Sequence, residues 1–122
     1  MNDHESIIQI NAGDAKGLCF KQAHDHLMSL VDSGQADDCC LVHGIVSRNS
    51  RDGQVVHAWV ELKSTHEVID VTNCKCIRFE RQKYYETYGV KREVPYSCDE
   101  AIRMQIRSGH YGPWDASFEK ML

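Results

Sequence analysis

Apolar residues change their spacing twice along this chain. Between Lys16 and Val31 they fall at Phe20, Ala23, Leu27, Leu30 and Val31, the spacing of one helical face, and Gly34 closes the segment. The next stretches read as strands, Cys40 to Val46, Val55 to Leu62 and Glu67 to Thr72. Asn49-Ser50-Arg51-Asp52-Gly53 carries turn chemistry between the first two, and Lys63-Ser64-Thr65-His66 joins the second to the third as a hairpin. Within Val55 to Leu62, His57, Trp59 and Glu61 share one side, and Val56, Ala58, Val60 and Leu62 share the other. The second set is wholly apolar and is expected to face the core; the first is expected to face a cleft.

Helical spacing returns after the hairpin. Arg78 to Tyr88 reads as a helix ended by Gly89, and Ser97-Cys98-Asp99-Glu100 is a capping box opening a helix to about Ser108. Residues 1–15 read as an irregular lead-in in which Ile7, Ile8 and Ile10 suggest a short strand. The tail from Gly109 to Trp114 reads as a glycine-rich loop with aromatic content. Helix, three antiparallel strands and further helices predict an α+β fold, a small sheet with helices on one face. The 122 residues are expected to form one domain, 1–122.

Composition narrows the function. A net charge of -4, with basic residues scattered among acids, argues against a nucleic-acid partner. No apolar run approaches the roughly 20 residues of a membrane span, and the first residues lack the pattern of a signal peptide. The expectation is a cytoplasmic protein with no membrane partner, whose six cysteines are reduced thiols. The sequence specifies no oligomeric state.

Against that background one constellation carries chemistry. Cys19 opens the first helix, His57 lies in the second strand and Asp70 in the third. A thiol is mostly unreactive at neutral pH, because it titrates near about 8.5; a helix N-terminus and a neighbouring imidazolium both favour the thiolate. Nucleophile, base and orienting carboxylate on three elements can meet in one cleft. Register is the test. With a four-residue loop, Leu62 pairs with Glu67, which puts Asp70 on the His57 side and diagonal to it, about 7–8 Å away. A loop one residue longer or shorter puts them on opposite sides.

Gly17-Leu18-Cys19-Phe20 with Ala23, Leu41-Val42-His43-Gly44-Ile45-Val46, His57-Ala58-Trp59-Val60-Glu61 and Ile69-Asp70-Val71-Thr72 together resemble the transglutaminase-like branch of the papain-like cysteine peptidase superfamily. The likeness spans roughly residues 16 to 73, with Val71 where that branch commonly has proline. The resemblance implies a papain-like core, in which a helix carrying the cysteine packs on a small antiparallel sheet, with helices following. It implies Cys19 as nucleophile, His57 as general base and acid and Asp70 as the group orienting His57. The reaction would be hydrolysis or acyl transfer at an amide through an acyl-enzyme, as in a peptidase, amidase or deamidase, with no cofactor. The substrate would be a peptide, a protein or a small amide. Trp59, beside His57, is a candidate substrate-binding residue that would shield the base from water. For the oxyanion, the backbone N–H of Cys19 is a better candidate donor than the side chain of Asn11.

Other readings compete. A non-catalytic interaction domain would keep the same three residues. Structural zinc would draw on His24-x-His26, Cys39-Cys40 and Cys74-x-Cys76, but none has the usual Cys-x-x-Cys spacing. The same missing motif weakens a thioredoxin-type redox role. The aromatic residues Tyr84, Tyr85, Tyr88, Tyr111 and Trp114 are expected to serve packing more than to wall a cleft.

Overall fold

The computed structural model describes residues 18–48, 53–72 and 75–121. Five expected features, the strand at Ile7 to Ile10, the side chain of Asn11, the helix start at Lys16-Gly17, the turn at Asn49 to Asp52 and the thiol of Cys74, lie outside them.

Helix α1 (Leu18–Asp32) leads into strands β1 (Cys39–Val46), β2 (Val55–Leu62), β3 (Glu67–Thr72) and β4 (Lys75–Glu80). Helix α2 (Arg81–Tyr88), strand β5 (Val90–Ser97), helix α3 (Cys98–Ser108) and the short α4 (Ala116–Glu119) follow. The five strands form one antiparallel sheet in the order β4-β3-β2-β1-β5. The fold is therefore α+β, and the sheet is larger than the three strands expected. The expected helix over Arg78 to Tyr88 is also corrected: Arg78 to Glu80 complete β4, and the helix begins at Arg81. Gly89 ends that helix in the left-handed region at φ 59°. Ser97 and Glu100 form the expected capping box at the start of α3.

Helices cover both sides of the sheet, not one. On the first side, Phe20, Ala23 and Leu27 of α1, Ala101 of α3 and Phe118 of α4 pack against Leu41, Val56, Ala58, Val60 and Ile69. On the second side, Tyr84 and Tyr88 of α2 pack against Val42, Val46, Val55, Trp59, Val68 and Phe79. The strand alternation of β2 thus separates two cores: the wholly apolar set faces α1, and the set with His57 and Trp59 faces α2.

A close approach makes that second side possible. A Cβ at Gly44 of β1 would run into the Trp59 indole and lie 2.8 Å from the Arg92 carbonyl oxygen of β5. Glycine leaves the space the indole fills.

Candidate active site

Cys19 lies in the first turn of α1, His57 mid-way along β2 opposite Gly44, and Asp70 on β3 opposite Ile77. The hairpin adopts the expected register, with Leu62 opposite Glu67, Glu61 opposite Val68 and Val60 opposite Ile69. Those three pairs are the whole β2–β3 ladder among the described residues. The continuation, Trp59 opposite Asp70, is not formed, so His57 and Asp70 stand beyond the last pair.

Across that opening, His57 Nε2 donates to Asp70 Oδ2 at 2.9 Å. Both residues are fully buried. Asp70 has two further donors. The Tyr84 hydroxyl donates to Oδ2 at 2.6 Å, and the Thr72 hydroxyl donates to Oδ1. The carboxylate therefore collects three hydrogen bonds in a dry setting, and this selects its ionised form. Burial alone would raise the Asp70 pKa; the His57 charge and these donors outweigh it and hold the carboxyl below its usual range.

The histidine obeys the mirror argument. Burial alone would lower its pKa, but the charge of Asp70 and their hydrogen bond, with a smaller contribution from Cys19, push it up to about 10. With Nε2 committed to Asp70, Nδ1 is the nitrogen left for the thiol. Among the described residues Nδ1 makes no hydrogen bond within ordinary distance and angle limits, although Cys19 is near enough to raise the imidazole pKa.

Thr72 and Tyr84 join the site without being among its sequence-based candidates. Thr72 was within reach, because it lies two residues after Asp70 on the same strand side. Tyr84 was not, because its role depends on how α2 docks. That docking is fixed by Glu61, which accepts from Trp59 Nε1 at 2.9 Å, Arg81 Nε at 2.9 Å and the Tyr85 hydroxyl. Arg81 also stacks over the Tyr85 ring at 4.2 Å.

No family model, curated protein or solved structure matches the chain. The site must be read from its own geometry.

The structure brings Cys19, His57, Asp70, Thr72 and Tyr84 to one place. Trp59 is also there, its ring 6.2 Å from that of His57, but it is fully buried and packs at a tilt against Tyr84 at 5.3 Å. It has no free face to offer a substrate and works as part of the second core. Tyr84 and Tyr88 are fully buried packing residues as well, and Tyr111 and Trp114 pack against the ring of His24. Among the described residues the zinc candidates His24, Cys39 and Cys40 point to different surroundings. His24 meets the Ala101 carbonyl oxygen, Cys39 faces the α1 side and Cys40 the α2 side. Among the described residues no three His, Cys, Asp or Glu side chains converge as metal ligands. Among them, too, no helix is long and apolar enough to cross a membrane.

Proposed function

We propose that this chain is a thiol-dependent hydrolase or acyl transferase acting on amide bonds through Cys19, His57 and Asp70. The reading carries with it a papain-like, transglutaminase-like core, a peptide, protein or small amide as substrate, and a cytoplasmic setting that keeps the thiol reduced. Its main support is the buried His57–Asp70 hydrogen bond at 2.9 Å with the Cys19 thiol beside the same ring.

The chemistry follows from the proton positions. Asp70 holds the imidazole by Nε2, so Nδ1 exchanges the proton with sulfur. With its pKa near 10, His57 is an imidazolium at neutral pH, ready to protonate a departing amine. The sulfur attacks the amide carbonyl carbon, the amine leaves with the proton from His57, and a thioester remains on Cys19. The N–H groups in the first turn of α1 lack helical acceptors and serve the oxyanion. Water or an amine then takes the acyl group, with His57 as base.

One observation favours a second reading, an interaction domain that retains the three residues. Cys19 is 1% exposed and His57 0%, so a substrate reaches the sulfur only if the site opens. A time course of iodoacetamide labelling, resolved by peptide mass spectrometry, separates the two. The enzyme reading expects Cys19 to label well ahead of the equally buried Cys39, and to lose that advantage in His57→Ala. Equal rates at Cys19 and Cys39 would overturn it in favour of the interaction domain.

A further inference from the structure

Two thiols far from the triad face each other. Cys39, the first residue of β1, and Cys98, the first residue of α3, lie with their sulfurs 3.5 Å apart. The pairing is built into the sheet. Cys40 lies opposite Ser97 as the end pair of the β1–β5 ladder, and Cys39 and Cys98 are the residues just past that end. With the sulfurs already 3.5 Å apart, a modest approach brings them to the roughly 2.05 Å of a disulfide. The Cys98 thiol is also held at the start of β1, with the carbonyl oxygens of Ala36 at 3.3 Å and Cys39 at 3.5 Å as acceptors. A groove of about 150 Å³ is lined by both cysteines together with Asp37, Lys63, Ser97 and Asp99.

We infer that Cys39 and Cys98 form a two-thiol modification site that a peroxide converts to an intramolecular disulfide. Cys98 is the more exposed of the two, at 6% against 1%, and reacts first. Its sulfur attacks one peroxide oxygen, the O–O bond breaks, and the other oxygen leaves as water with the thiol proton. The resulting sulfenic acid is then attacked by the Cys39 sulfur. The S–O bond breaks, an S–S bond forms, and the hydroxyl leaves as a second water with the Cys39 proton. Two thiols lose two electrons in total and one peroxide gains them. Burial and the adjacent Cys98 thiol push the Cys39 pKa up to about 12, so the second step is the slow one and quickens as pH rises.

The bond would tie the start of β1 to the junction of β5 and α3, and a thiol reductant would release it. It is independent of the triad. The test is to treat the full chain with hydrogen peroxide and map disulfides by peptide mass spectrometry, in the wild type, Cys19→Ala, Cys40→Ala and Cys98→Ala. The first three should yield the Cys39–Cys98 link, reversible by dithiothreitol, with Tm raised by about 5 °C or more. Cys98→Ala should yield none at Cys39. A Cys39–Cys40 link in the wild type, or Cys98 carried on to sulfinic acid with Cys39 still a thiol, would overturn the proposal. Those wild-type outcomes decide it even if Cys98→Ala does not fold.

Discussion

Two histidines on neighbouring strands are both fully buried, and the protein treats them in opposite ways. His43 of β1 lies on the α1 side among aromatic rings, with Phe20 at 4.8 Å, Trp114 at 5.0 Å and Tyr96 at 5.1 Å. Among the described residues neither of its ring nitrogens has a hydrogen-bond partner, and burial drives its pKa down to about 3. His57 of β2 faces the α2 side, where Asp70 more than offsets the same desolvation and the pKa rises to about 10. Burial is common to both, so the difference is the carboxylate. A buried imidazole without one is an inert neutral ring; beside one, it is a held cation. The His57 region is thus the one equipped for proton transfer, and the His43 region is packing.

Removing the carboxylate should erase the contrast. In Asp70→Asn, the His57 imidazole should titrate below its ordinary value, as His43 does, when followed by NMR of the ring protons. Turnover of an amide substrate should fall by about 10⁴-fold, because the tautomer and the cation are both lost. Unchanged turnover with lowered stability would make Asp70 a structural residue.

The contrast also sets how stability depends on pH. His57 has a raised folded-state pKa, so its contribution is complete below about 6.5 and is lost as pH rises toward 10. His43 has a depressed one, so stability falls as pH drops from 6.5 toward 3, because only the unfolded chain accepts that proton. Each limb has a slope of up to about 1.4 kcal/mol per pH unit. Urea unfolding across pH should therefore show a maximum near pH 6.5 from these two groups. His43→Leu should flatten the acid limb only and, by removing two unpaired nitrogens, add about 2 kcal/mol at neutral pH. Smallest of all, Thr72→Val should cost about 1 kcal/mol by taking one donor from Asp70, and should lower the His57 pKa slightly.

The sequence exposed the central part of this arrangement and hid its margins, for a physical reason. β2 and β3 are interior strands buried on both faces, so they read as near-continuous apolar runs in which His57 and Asp70 stand out, and a four-residue connection fixes their register. That was enough to place His57 and Asp70 on one side. β4 and β5 are the two sheet edges. β4 buries only Phe79, and β5 carries Lys91, Arg92, Glu93 and Pro95, residues that an edge accepts and an interior strand rejects. Their apolar pattern is too weak to read as strand. Missing β4 moved the start of α2 and hid the second layer of helix, and with it Tyr84. The orphaned nitrogens of His43 had no sequence signal, because a strand histidine looks the same with or without a partner.

Gly44 shows how narrow the margin around His57 is. The residue directly across from the histidine is the one whose missing side chain admits the Trp59 ring. A single methyl group there meets an indole on one hand and the backbone of β5 on the other, and the backbone has nowhere to retreat. Alanine at this position would evict the ring that packs against Tyr84, loosening the hydroxyl with which α2 grips Asp70. An innocuous-looking replacement, touching no reactive atom, would thereby slacken the imidazole's anchor.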